Sequence, residues 1–185
     1  TLDKEVVAEK RERYTKAFML GVEYLLKMQY KNGGFPQYFP ERKAEAYSSQ
    51  ITFNDNAMVN ALKMLRDVAV ENGRFQLMGV EKGLRKKCQV AYERGLQCVL
   101  DCQIRVDEQG RVLEYGTEAW KEGHRTVWCQ QHDKVTLAPV KARAYELPSY
   151  SGMGETCGIL ELLMDVENPS EEVSEAVRCG VEWLE

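Results

Sequence analysis

Three stretches of the chain share one text: GVEYLLKMQ over residues 21–29, GLQCVLDCQ over 95–103 and GVEWLE over 180–185. Each opens on glycine followed by Val or Leu, and the first two end in Gln ahead of a Gly-containing loop. The copies start 74 and 85 residues apart, with a different helical pattern between them. Repetition at that distance is the mark of stacked helical units. It predicts an all-α fold, an α/α barrel (toroid) of repeated helix pairs with long irregular loops, in which like helices form one ring and the intervening helices another. The third copy stops before its own loop, so the expectation is a single domain over residues 1–185, incomplete at the C-terminus.

Periodicity around the repeat supports this reading. Apolar residues at helical spacing predict a helix from Lys4 to about Gln29, ended by Asn32-Gly33-Gly34. A second runs from Ala57 to Val70, with Asn54 or Asp55 as its cap, and a third from about Glu81 to Gln103. Two more cover Gly154–Val166 and Ser170 to the chain end, the last opened by Pro169-Ser170-Glu171-Glu172. That makes five helices and almost no strand. Two connections, residues 32–53 and 104–153, are long and aromatic, and structureless connections of such length usually carry function. Within the second, Val106 to Arg125 reads as a surface excursion or short hairpin.

Composition narrows the function. The 185 residues carry 25 Lys+Arg against 29 Asp+Glu, a net charge of −4, so no global positive field draws the chain to nucleic acid or anionic lipid. No apolar run reaches the roughly 18 residues of a membrane span. The six cysteines form no CxxC pair and read mostly as buried thiols. Nucleophile-elbow, zincin, P-loop and zinc-finger patterns are absent, and with only His124 and His132 a multi-histidine metal centre is excluded. What remains for chemistry is a set of oxygen donors and cations: Asp55, Asn56, His132, Asp133, Arg143, Glu146 and Glu155. Each also has a simpler reading. Asp55 can be an N-cap worth about 1 kcal/mol. Asp133 can be a loop carboxylate bonded to neighbouring amides. Arg143 and Glu146, three apart, can be an exposed ion pair worth roughly 0–1 kcal/mol.

Four blocks in order, NGGFPQYFP (32–40), ITFNDNAM (51–58), TVWCQQHD (126–133) and TLAPVKARAYELPSYSG (136–152), resemble the pectate lyases of polysaccharide lyase family ten. The resemblance runs from about Phe18 to the chain end, and the family's α/α barrel agrees with the repeat. The stretch from about Val112 to Gly123 departs from it as an insertion. The resemblance implies an endo-acting enzyme, one catalytic domain over 1–185 lacking its C-terminal part, that cleaves α-1,4-polygalacturonate by calcium-assisted β-elimination. It implies Ca²⁺ ligands at Asp55 and Asp133, and substrate contacts at Asn56, His132, Arg143 and Glu146. A patch of Lys134, Lys141 and Arg143 would help hold the polyanion. The base is expected to be an arginine beyond Glu185, and a secreted or periplasmic monomer is expected. Two other readings use the same residues: a non-catalytic pectin-binding helical module, and a barrel of the prenyltransferase or terpene-cyclase kind, which GVEYLLKMQYKNGGF also resembles.

Overall fold

The computed structural model describes residues 2–41, 43, 46–143, 148 and 154–185. Its α-helices are α1 (Leu2–Met28), α2 (Ala57–Ala69), α3 (Lys82–Asp101), α4 (Glu118–Glu122), α5 (Glu155–Met164) and α6 (Glu171–Leu184). Three short 3-10 helices and five two-residue strands, β1 (Ile51–Thr52), β2 (Arg105–Val106), β3 (His124–Arg125), β4 (Gln131–His132) and β5 (Pro139–Val140), complete the described residues. The five expected helices are present within a few residues of their expected ends. The sixth, α4, is short and sits at the tip of the hairpin formed by β2 and β3, inside the insertion at 112–123. Thr117 caps it, accepting from the amide of Trp120 at 3.1 Å. Ser170 caps α6 as expected, accepting from the amide of Val173 at 3.3 Å.

The helices that carry the repeat lie side by side: α1 touches α3, and α3 touches α6. The intervening helices form a second row, with α2 packed along α3, α5 along α6, and α2 against α5. The amphipathic pattern explains this, because Met58, Val59, Leu62, Leu65 and Val68 of α2 and Ile159, Leu160, Leu162 and Leu163 of α5 are all buried on the same side of their helices. The second and third repeated glycines are points of close approach between the rows, whereas a Cβ on Gly21 would meet nothing within 4 Å. A Cβ on Gly95 would stand 2.3 Å from the Leu62 side chain, and one on Gly180 would stand 2.9 Å from that of Leu160.

The repeated glutamines do equivalent work in the two complete copies. At the end of α1, Gln29 Nε2 donates to the carbonyl of Gly33 in the following loop (2.9 Å) and to that of Ala91 on α3 (2.8 Å). Just after α3, Gln103 Nε2 donates to the carbonyl of Thr126 in its own following loop and to that of Ala176 on α6, both at 2.9 Å. Ala91 and Ala176 each lie four residues ahead of the next repeat's glycine. Both amide oxygens are also satisfied by arginine, Gln29 by Arg94 and Gln103 by Arg125. Each glutamine thus ties the root of a loop to the neighbouring like helix. Trp128, fully buried, adds a further link by donating from Nε1 to the carbonyl of Val99 at 2.7 Å.

Gln103 is 1% exposed, so replacing it with the near-isosteric Met removes its bonds to the Thr126 and Ala176 carbonyls and one acceptor of Arg125, which keeps the Leu100 carbonyl, Glu172 and Glu175. We expect Gln103→Met to lower stability by about 3 kcal/mol, read as a fall in the urea midpoint at unchanged slope.

Candidate functional site

The four blocks singled out in the sequence meet at one place. Strands β1, β4 and β5 form a three-stranded antiparallel sheet in the order β1-β4-β5, with Ile51 opposite His132 and Thr52 opposite Gln131. Past Thr52 the pairing ends on a shared acceptor: the amides of Phe53 and Asn54 both donate to the carbonyl of Gln130 (2.9 and 3.1 Å). The chain then turns through the 3-10 segment Asn54–Asn56 into α2. Here Gln37, Asn54, Asp55, Gln130, Gln131 and Arg143 line a cleft of about 350 Å³.

The turn itself is unusual. Asp55 (φ 56°) and Asn56 (φ 57°) are consecutive left-handed residues, a conformation that costs a side chain about 1–2 kcal/mol and is best tolerated by Asp and Asn. Neither Asn54 nor Asp55 caps α2 as the spacing predicts. Position N-cap falls on Asn56, and its side chain makes no capping bond. Asp55 stays exposed at the cleft, where Asn54 Nδ2 donates to its Oδ2 at 2.9 Å. Three buried amide oxygens, Gln37 Oε1, Asn56 Oδ1 and Gln131 Oε1, have no donor among the described residues. Gln37 and Gln131 line the cleft, and Asn56 adjoins Asp55. The other buried orphans in the described residues are arginine nitrogens elsewhere.

His132 is not on the cleft surface, contrary to the substrate-contact role expected of it. It is fully buried, and Phe53 packs edge-on to its ring at 5.7 Å. Its Nε2 accepts from the amide of Cys129 (3.1 Å), so Nδ1 carries the proton and donates to the carbonyl of Leu137 (2.8 Å). The imidazole is a neutral clasp across the 129–137 loop. Burial pushes its pKa down to about 4, against the opposing effect of the Leu137 carbonyl.

Asp133 and Asp55 do not form a carboxylate pair. Asp133 follows the Gln50 end of the β1-β4 pairing, where Gln50 Oε1 accepts from the amide of Lys134, whereas Asp55 follows the Gln130 end. Asp133 Oδ1 is taken up by its own turn, accepting from the amides of Val135 (2.8 Å) and Thr136 (2.7 Å) and the Thr136 hydroxyl (3.1 Å). Burial works to raise its pKa, but the Thr136 and Val135 amides, the Thr136 hydroxyl and Lys134 outweigh it and hold the carboxyl below the usual range. The described residues hold no group of three or more His, Cys, Asp or Glu that could grip a metal ion. Lys134, expected to join a polyanion-binding patch, is instead ion-paired with Glu41 over the Tyr30 ring. Arg143 does reach the cleft; Glu146 lies outside the described residues.

Gln37, Gln130 and Gln131 were not singled out from the sequence, because a glutamine carries no signal until its neighbours are known. Glu155, 8% exposed at the start of α5, accepts from Gln130 Nε2 at 3.3 Å and so braces the cleft wall. A larger cavity of about 760 Å³ opens by Arg66, Tyr92 and Asp165, but its arginine is already paired with Asp67 and Asp165, both at 3.1 Å.

Fold and site define a mostly helical protein whose loops gather an oxygen-rich polar cleft with one exposed carboxylate. The chain belongs to the pectic acid lyase family, whose profile matches residues 2–185. It is also similar, at 33% identity and a TM-score of 0.78, to two solved structures of a family 10 polysaccharide lyase from Cellvibrio cellulosa. One of these is an aspartate-to-alanine mutant in complex with trigalacturonic acid. Both matches cover 92% of this chain and 48% and 47% of those chains, so this chain spans about half their length. No curated protein matches it.

The buried histidine gives a pH dependence whose sign is fixed. The folded state keeps His132 neutral down to about pH 4, while the unfolded chain protonates it near its ordinary 6.5. Its contribution is therefore complete above pH 6.5 and is lost as pH falls toward 4, about 3 kcal/mol in all. Asp133 and Glu41, whose pKa values are lowered, act only below their ordinary values of 3.8 and 4.5. We expect the urea midpoint to drop between pH 6.5 and 5, and His132→Asn to start lower but lose that slope.

Proposed function

We propose that this protein is a pectate lyase that cleaves α-1,4-polygalacturonate by β-elimination, leaving an unsaturated sugar at the new non-reducing end. The observation that carries the reading is a cleft lined by the exposed Asp55 and by Gln37 and Gln131, whose amide oxygens have no donor among the described residues. An acceptor buried without a donor costs about 1–3 kcal/mol. A ligand that brings hydroxyl donors and a cation removes that cost, and a galacturonate chain with its counterions brings both. Membership of the pectic acid lyase family and similarity to a lyase bound to trigalacturonic acid support the same choice.

In this reading Arg143 clamps a uronate carboxylate through paired N–H groups, and Asn56 and Glu146 orient the sugar. Asp55 and the neighbouring amide oxygens are hard donors, the type calcium prefers. They would hold a calcium ion beside the bound uronate, where it would supply positive charge. Asp133 offers a second entry point for a cation at the far end of the sheet. Calcium, when bound, draws charge from the uronate carboxylate and so acidifies the C5 proton. The residues of this chain hold the uronate so that the developing negative charge meets Arg143. An arginine outside residues 1–185 is proposed as the base. Endo cleavage, secretion, a monomeric state and closure of the two helix rows into an α/α toroid complete the proposal. No helix of the described residues is long and apolar enough to cross a membrane.

Polygalacturonate with calcium or with chelator, followed by ultraviolet absorbance of the unsaturated product, tests the reading. In a chain that includes the proposed base arginine we expect calcium-dependent product and at least about a 100-fold loss in Asp55→Ala, whereas residues 1–185 alone bind without turnover. Affinity without product in the arginine-containing chain would select a glycan-binding module, product from residues 1–185 alone would overturn the placement of the base, and absence of both affinity and product would sink the proposal.

A further inference from the structure

Gly158 is buried inside α5, where glycine costs about 1 kcal/mol relative to alanine. Its φ is not positive, so no backbone conformation requires glycine here. A steric reason is present. A Cβ on Gly158 would lie 2.1 Å from Asn56 Oδ1, and its three nearest neighbours would all be atoms of the Asn56 carboxamide, at 2.1, 3.0 and 3.5 Å. Real Cβ contacts do not fall below 3 Å, so the Asn56 carboxamide would have to turn or move out of this position. Because α5 packs against the 54–56 turn, the carboxamide lies directly on the helix backbone.

We infer that Gly158 is a positioning residue of the cleft, acting through Asn56: the missing side chain is the slot that receives the carboxamide and lets Asp55 and Asn56 hold their left-handed pair. Three anchors then fix the turn. The Gln130 carbonyl gathers the amides of Phe53 and Asn54, Asn54 steadies the Asp55 carboxylate, and Gly158 admits Asn56. A left-handed Asp–Asn pair persists only when its surroundings over-determine it. Filling the slot pushes Asn56 outward and drags Asp55 with it, while α5 gains helix propensity. The inference rests on the cleft being the galacturonate site.

The test compares the unmodified chain with Gly158→Ala, Asn56→Ala and the double variant, by calorimetric affinity for trigalacturonic acid in calcium and by thermal unfolding. We expect Gly158→Ala to stay folded and lose at least about tenfold in affinity, since a displacement of about 1 Å at a binding group is enough. We expect the double variant to bind as Asn56→Ala binds and to melt no lower, because the clash disappears with the carboxamide. That comparison holds even if Gly158→Ala alone fails to fold. A folded Gly158→Ala that binds within twofold of the unmodified chain would overturn the inference, as would a double variant that binds markedly worse than Asn56→Ala. An unmodified chain with no affinity would instead overturn the reading of the cleft, and the inference with it.

Discussion

The site depends on a hydrogen-bonding device used twice, the glutamine at the end of a repeat helix that reaches both its own loop and the next like helix. A helix end exposes carbonyls, and a loop root would otherwise be free to swing. Gln29 fixes Gly33, four residues before Gln37, which lines the cleft. Gln103 fixes Thr126, four residues before Gln130. The same two donors hold α1 to α3 and α3 to α6, so the spacing of the helices and the aim of the loops are one constraint. Gly33 tightens it further: at φ 95° its Cβ position lies 2.1 Å from the Arg94 carbonyl, a place only glycine can occupy.

The helices were legible because amphipathic periodicity is a local property, and the repeat was legible because its glycine and glutamine recur at equal offsets. The site was legible as a set of blocks, which do converge, and less so as roles. Asp55 reads as a cap in one dimension, since a polar residue just before an apolar run usually is one. Only the shared Gln130 carbonyl and the α5 backbone reveal a left-handed turn instead. His132 enters as a substrate contact only through the resemblance, yet the Cys129 amide and the Leu137 carbonyl claim both its nitrogens. Asp133 was the reverse case, where the simpler expectation of a carboxylate bonded to nearby amides describes its Oδ1. These outcomes turn on residues brought together by β1, β4 and β5, strands too short to announce themselves in the sequence.

Charge is distributed so that the interior and the surface use up most of the nearby cations. Arg125, its side chain 4% exposed, is committed to Gln103, Glu172 and Glu175. Arg105 stacks on Trp120 at 3.9 Å and donates to the carbonyls of Trp120 and Lys121, which fastens the inserted α4 hairpin to the body of the fold. Lys134 answers Glu41. A chain of net charge −4 arranged in this way offers a polyanion little general attraction, so binding has to come from the local geometry of the cleft.

That geometry combines two departures from what a minimally strained sequence would choose: a pair of left-handed non-glycine residues and a set of buried acceptors without donors. Each alone costs of the order of 1–3 kcal/mol, and in most of the molecule comparable groups are satisfied. In the proposed reading, the left-handed Asp55 and the donorless oxygens of Gln37 and Gln131 at one 350 Å³ cleft leave the free protein with polar groups already arranged for a partner. Preorganisation of this kind moves the cost of ordering from the moment of binding to the moment of folding. In that reading the glutamine ties and the buried histidine clasp hold the loops around the cleft, and the bare backbone at Gly158 gives the Asn56 carboxamide the room that the turn requires.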